Sequence, residues 1–172
     1  MTTTDKTEPL APRIEGRTEK EVIASWREIL FEIWLARGSA ADIRAGIEVV
    51  KKYLARVPGP MIGFSIVHPP AMGPLDSDGR AAIAEQARVV NPRSKAGALV
   101  ILSGGFSGAI VRSIATGLSL ISPPKHPNKV FDTMERACAW IAPHVTPVDG
   151  RAVTPEEIMA AYRQLPTPPD SR

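Results

Sequence analysis

The sequence predicts an α/β fold, a four- or five-stranded, largely parallel sheet with helices packed on it. Three observations carry that expectation. Short apolar runs rich in β-formers, "MIGFSIVH" at 61–68 and "AGALVILS" at 96–103, are spaced as buried strands. Between them lie stretches whose apolar residues recur every three or four positions, as on one face of a helix. Proline- and glycine-rich segments, "PGP" at 58–60, "PPAMGPLDSDG" at 69–79 and "SPPKHPN" at 122–128, separate the two kinds of run. Strand and helix therefore alternate, and that order calls for parallel strands joined by helical crossovers.

Taken in order, residues 1–17 are rich in Thr, Pro and charge and read as a flexible tail. An α/β domain is expected over 18–144, followed by an extension over 145–172 with one short helix. "EVIASW" at 21–26 fits either a short helix, with Thr18 and Glu21 at its start, or an edge strand. The next run, 28–37, is apolar enough for a strand covered on both faces. Ser39 is a good N-cap, with Asp42 at the third helical position. Ile43, Ile47, Val50, Leu54 and Val57 then form one apolar stripe. A second helix is expected through Ile83, Ala87 and Val90, ending at Asn91-Pro92. A third begins in "LSGGFSGAIVRSIATGLSL" at 102–120, where Ile110, Ile114 and Leu118 repeat every fourth residue. "KVF" at 129–131 is a short strand. "FDTMERACAWI" reads as a core helix with Asp132 and Glu135 as a capping box and Phe131, Met134, Cys138 and Ile141 on one face. Thr154-Pro155-Glu156-Glu157 is a strong start for the helix of the extension.

Composition excludes several function classes. Among 172 residues, 44% are hydrophobic and 23% charged, ordinary for a soluble globular chain. No apolar run approaches the roughly 18 residues of a spanning helix, and the first residues lack the apolar stretch of a secretory signal. A cytoplasmic protein is the expectation, and a single cysteine, Cys138, excludes an internal disulfide. The net charge of +3 is spread along the chain, with Lys51-Lys52 the one adjacent basic pair. Nucleic-acid binding needs a clustered basic patch, so no nucleic-acid partner is expected.

The glycine-rich turn Gly104-Gly105-Phe106-Ser107-Gly108 is the most conspicuous chemical candidate. No Lys follows as in a Walker loop, the spacing misses the dinucleotide fingerprint, and it is one residue short of a nucleophile elbow. The turn reads as a tight strand-to-helix corner in which Ser107 caps the helix. Any ligand role would be anion or partner contact by the helix N–H groups, with Arg112 one turn further on. His68, His126 and His144 show no metal-binding spacing, so neither metal nor cofactor is expected. Cys138 falls on a core face and reads as packing. Trp26, Trp34 and Trp140 likewise read as core. Asp76 and Asp78 look like turn and cap residues, and Ser77 between them reads first as a helix N-cap.

The closing "KVFDTMERACAWI", with Phe131, Ala137, Trp140 and Ile141 at the places of a recurrent F-x5-A-x2-W-[LI] ending, resembles the SpoIIAA-like (STAS) superfamily. "GFSGAIVRS" and "DSDGRAAI" are similar to stretches of single-domain bacterial STAS-like proteins, and the likeness spans about residues 21–144. It implies a regulatory or interaction module without catalytic activity that binds a protein partner; separately, the exposed edges of an open sheet and a terminal helix outside the core leave a homodimer open, through edge pairing or helix exchange. In the antagonist members a Ser in a D-S-x-G-type turn opening the second helix is phosphorylated. Asp76-Ser77-Asp78-Gly79 stands at a comparable place, which makes Ser77 the candidate phosphoacceptor. The contact surface would then comprise Ser77, Gly104, Gly105, Ser107, Gly108 and Arg112. Two departures from the family pattern stand out: seven extra residues, "PPAMGPL", precede the turn, and Asp78 adds negative charge beside the hydroxyl. The alternative is a small-molecule, anion or lipid-binding module with its site at the helix start near Gly108 and Arg112.

Overall fold

The computed structural model describes residues 10–102 and 125–167. The Gly104–Gly108 turn and Arg112 lie outside them, as does the helix expected after that turn.

Six strands form one mixed sheet in simple sequential order. They are β1 (Arg13–Arg17), β2 (Glu21–Trp26), β3 (Ile29–Trp34), β4 (Met61–Val67), β5 (Ser94–Ile101) and β6 (Asn128–Phe131). The sheet thus exceeds the expected four or five strands. The additional strands come from its amino-terminal end, where β1–β2 and β2–β3 pair antiparallel. From β3 onward every pairing is parallel.

β1 begins inside the stretch assigned from composition to a tail. Glu15 explains its place, accepting from Ser25 Oγ of β2 at 2.6 Å and from the Arg56 guanidinium at 2.5 Å. Trp26 Nε1 adds a bond to the Leu10 carbonyl at 2.6 Å. These contacts span 10 to 41 residues, so local composition carries no trace of them. "EVIASW" is accordingly a strand, and an interior one, paired on both sides.

Helices α1 (Ala40–Arg56) and α2 (Ser77–Val90) cross between parallel strands on one face of the sheet. Ser39 caps α1 as expected, and Asp42 completes a reciprocal capping box. Its stripe buries Ile43, Ile47 and Val50, together with Tyr53. The opposite face carries α3 (Met134–Ile141) and α4 (Pro155–Arg163). Thr133, and not Asp132, caps α3, accepting from the Arg136 amide at 3.4 Å. Asp132 turns instead to the Arg136 side chain at 2.8 Å.

The main core lies on this second face. Phe31 and Phe64 are fully buried neighbours, 5.4 Å between ring centroids, beneath Cys138 and Ile141 of α3. α4 adds Ile158, Ala161 and Tyr162 to the same cluster, and Leu165 follows. The helix of the extension is therefore packed into the core. Its start is the expected one: Thr154 and Glu157 form a capping box, with Pro155 at the first helical position. Among the described residues no helix is long and apolar enough to cross a membrane.

Candidate functional site

In an open parallel sheet the loops at the carboxyl ends of the strands are where side chains are free for contact. Of the described loops of that kind, the longest is the one after β4. His68 leaves the strand, Pro69–Ala71 make a short 3-10 turn, and the chain runs through Gly73 and Pro74 to α2. Gly73 has a φ of +157°, and Arg37 closes over it while donating to the Pro74 carbonyl at 2.6 Å. Arg80, one turn into α2, holds the Leu75 carbonyl at 2.6 Å. Residues 69–75 are thus fastened by guanidinium groups from both sides.

Asp76, and not Ser77, is the N-cap of α2. Its carboxylate accepts from the Gly79 amide at 2.7 Å. A cap residue has extended backbone and lies outside the helix, and Asp76 has ψ of −178°. Ser77 is consequently the first helical residue and is exposed. Among the described residues nothing hydrogen-bonds its hydroxyl. Sequence reasoning divided the capping role wrongly because Asp and Ser are about equal as caps. Gly79, fully buried against Leu75 and Asp76, decides the register.

Asp78 does add a charge next to Ser77, but that charge is met. Arg44 of α1 donates to both its oxygens, at 2.9 and 3.3 Å, and also grips Glu85 of α2. The Arg44 guanidinium lowers the pKa of both carboxyls. One arginine therefore clamps the first and third turns of α2 to α1.

Behind this edge the face of the sheet under α2 is unusually bare. Gly63 and Gly97 pair across β4 and β5, and the space above Gly63 is open to at least 4 Å. A cavity of about 1040 Å³ adjoins them, lined on α2 by Ile83, Gln86 and Val90. Its lining also reaches Ile101 and His126, close to the ends of the stretch outside the described residues. The best-defined polar feature within it is Glu32. That carboxylate accepts from Gln86 Nε2 at 2.6 Å, Trp34 Nε1 at 3.2 Å and Ser65 Oγ at 3.1 Å. Trp34 is thus half-buried with a polar task, whereas Trp26 is core and Trp140 packs on Phe131 and His144.

The other sequence candidates fall apart spatially or chemically. Burial pushes the Cys138 thiol up to about 12, which leaves almost no thiolate near neutrality. His68 meets Tyr162 Oη at 3.2 Å, His144 packs tilted against Trp140, and His126 lies against the Pro127 carbonyl, so each histidine has a different neighbour. No group of three or more potential metal ligands occurs among the described residues. No protein-family model, curated protein or solved structure matches this chain.

Proposed function

We propose that this chain is a STAS-like interaction module that binds a protein partner through the turn preceding α2, with Ser77 as a phosphoacceptor that switches the contact. The observation that carries this reading is the idle Ser77 hydroxyl. It is exposed at the first position of the second crossover helix, and the capping task that would have occupied it belongs to Asp76. Its surroundings suit a dianionic group. Arg37 and Arg80 flank the turn, and Arg44 already engages Asp78. The N-terminal end of α2 adds its own favourable field.

Peptide mass spectrometry of the protein isolated from its own host tests the modification. The reading expects a phosphate on Ser77 in part of the population. Phosphate absent from Ser77 under every growth condition, with the unmodified peptide well covered, would remove the switch.

The cavity over Gly63 favours a second reading, a small and largely apolar ligand held under α2 beside Glu32. A non-covalent small mass retained on the gently purified protein, and lost when Gly63→Leu fills the space, would favour it.

A further inference from the structure

Glu21 is the one charged residue in the buried interior of the described structure, 5% exposed. It faces α1 at Gly46, where even a methyl group would come within 2.8 Å of its Oε2. Its Oε1 has no hydrogen-bond donor. Three donors serve Glu32 on the neighbouring strand: Gln86 from α2, Trp34 from β3 and Ser65 from β4. Lys20, its neighbour in sequence, is engaged by Asp42 of α1 at 2.8 Å. Glu21 lies diagonally from Glu32 on the same face of the β2–β3 pair, opposite Trp34, and the charges of Glu32 and Asp42 both disfavour its ionisation. Two carboxylates cannot both be ionised in such contact away from water and cations. The arrangement favours a proton on Glu21, which keeps that carboxyl neutral beside Glu32.

We propose that the Glu21–Glu32 pair is a proton-operated clasp that seats α2. While one proton is shared, Glu32 stays in place and holds α2 to the sheet through Gln86. When the proton leaves, two negative charges face each other in the interior, and water must enter to separate them. Entry is easiest under α2. That helix buries only Gly79 and Ala82 completely, whereas α1 buries Ile43, Gly46, Ile47, Val50 and Tyr53. The cavity beside Glu32 also lies on the α2 side. Deprotonation therefore loosens α2, and with it the turn that carries Ser77, whatever that turn binds.

Burial, then the Glu32 charge, pushes Glu21 up from 4.5 to about 9. A raised carboxyl favours the folded state fully below its unfolded value, and that advantage is lost as pH rises through the folded value. The window runs from about 4.5 to about 9.

Two measurements on the full chain test the clasp. Urea unfolding of the wild type and Glu21→Gln is compared in steps from about pH 6 to about pH 9. The folding constant of the wild type should fall relative to the variant by about tenfold per pH unit. Parallel pH dependences would overturn the proposal. The second measurement needs no variant: native-state amide exchange of the wild type, corrected for base catalysis. Amides of α2 should exchange through an easier opening than those of α3 at every pH, and that opening should become more frequent as pH rises. An α2 opening that is independent of pH, or α2 amides as well protected as those of α3, would show that the pair does not seat α2.

Discussion

At the scale of single residues, the division of labour between Asp76 and Ser77 is the sharpest finding. If Asp76 carries the cap, Asp76→Ala should cost about 1 kcal/mol. Ser77→Ala should cost roughly 0.5 kcal/mol or less, because its hydroxyl bonds nothing in the described structure. Urea midpoints of the two variants check this, and a Ser77→Ala cost equal to or larger than that of Asp76→Ala would return the cap to Ser77. The same pair shows where the sequence is legible and where it is not. "DSDG" announces a helix start, and one is there. Which of Asp76 and Ser77 leaves the helical backbone depends on Gly79 packing against Leu75, a contact that no composition rule contains. Glu21 makes the point more strongly. Its sequence neighbours suggested a capping carboxylate, whereas it is buried on a strand, opposite Trp34 and diagonal to Glu32 across the β2–β3 pair.

At the scale of elements, the capping boxes were readable because they are local, Ser39 with Asp42 and Thr154 with Glu157. Both acidic members are held well below the usual carboxylate range, to about 2. For Asp42 the main cause is the bond from Lys20, and for Glu157 the bond from Arg151. A lowered carboxyl stabilises the fold above its unfolded value, and that contribution is lost as pH falls through the folded value. The stability of the wild type should therefore decline from about pH 4.5 toward about pH 2. Glu157→Gln should flatten that limb; thermal unfolding across the range checks it, and an unchanged slope would contradict the assignment. β1 and the interior position of β2 were not readable. An edge strand is defined by its partner, and the bonds that fix β1 come from Ser25 and Arg56. The capping of α3 was read one residue early, because Asp132 and Thr133 are both good caps and only the Arg136 contacts separate them.

At the scale of the whole molecule, the alternation of strand and helix sufficed for the α/β class, since that order depends on periodicity alone. The place of the last helix did not follow from it. α4 sits beyond a Pro/Gly connector, yet Ile158, Tyr162 and Leu165 close the main core over the sheet. Chain ending at Gly150 should consequently lose cooperative unfolding and expose apolar surface to a hydrophobic dye; an unaltered melting transition would make α4 dispensable.

The central claim is that the face around Ser77 is where a partner binds. Native mass spectrometry of the protein purified gently from its own host, as wild type, Ser77→Ala and Ser77→Asp, tests it most directly. The account predicts a second polypeptide on the wild type and on Ser77→Ala, and its loss, by tenfold or more, on Ser77→Asp. A complex that Ser77→Asp leaves intact, or a wild type carrying only a small non-covalent ligand, would contradict it.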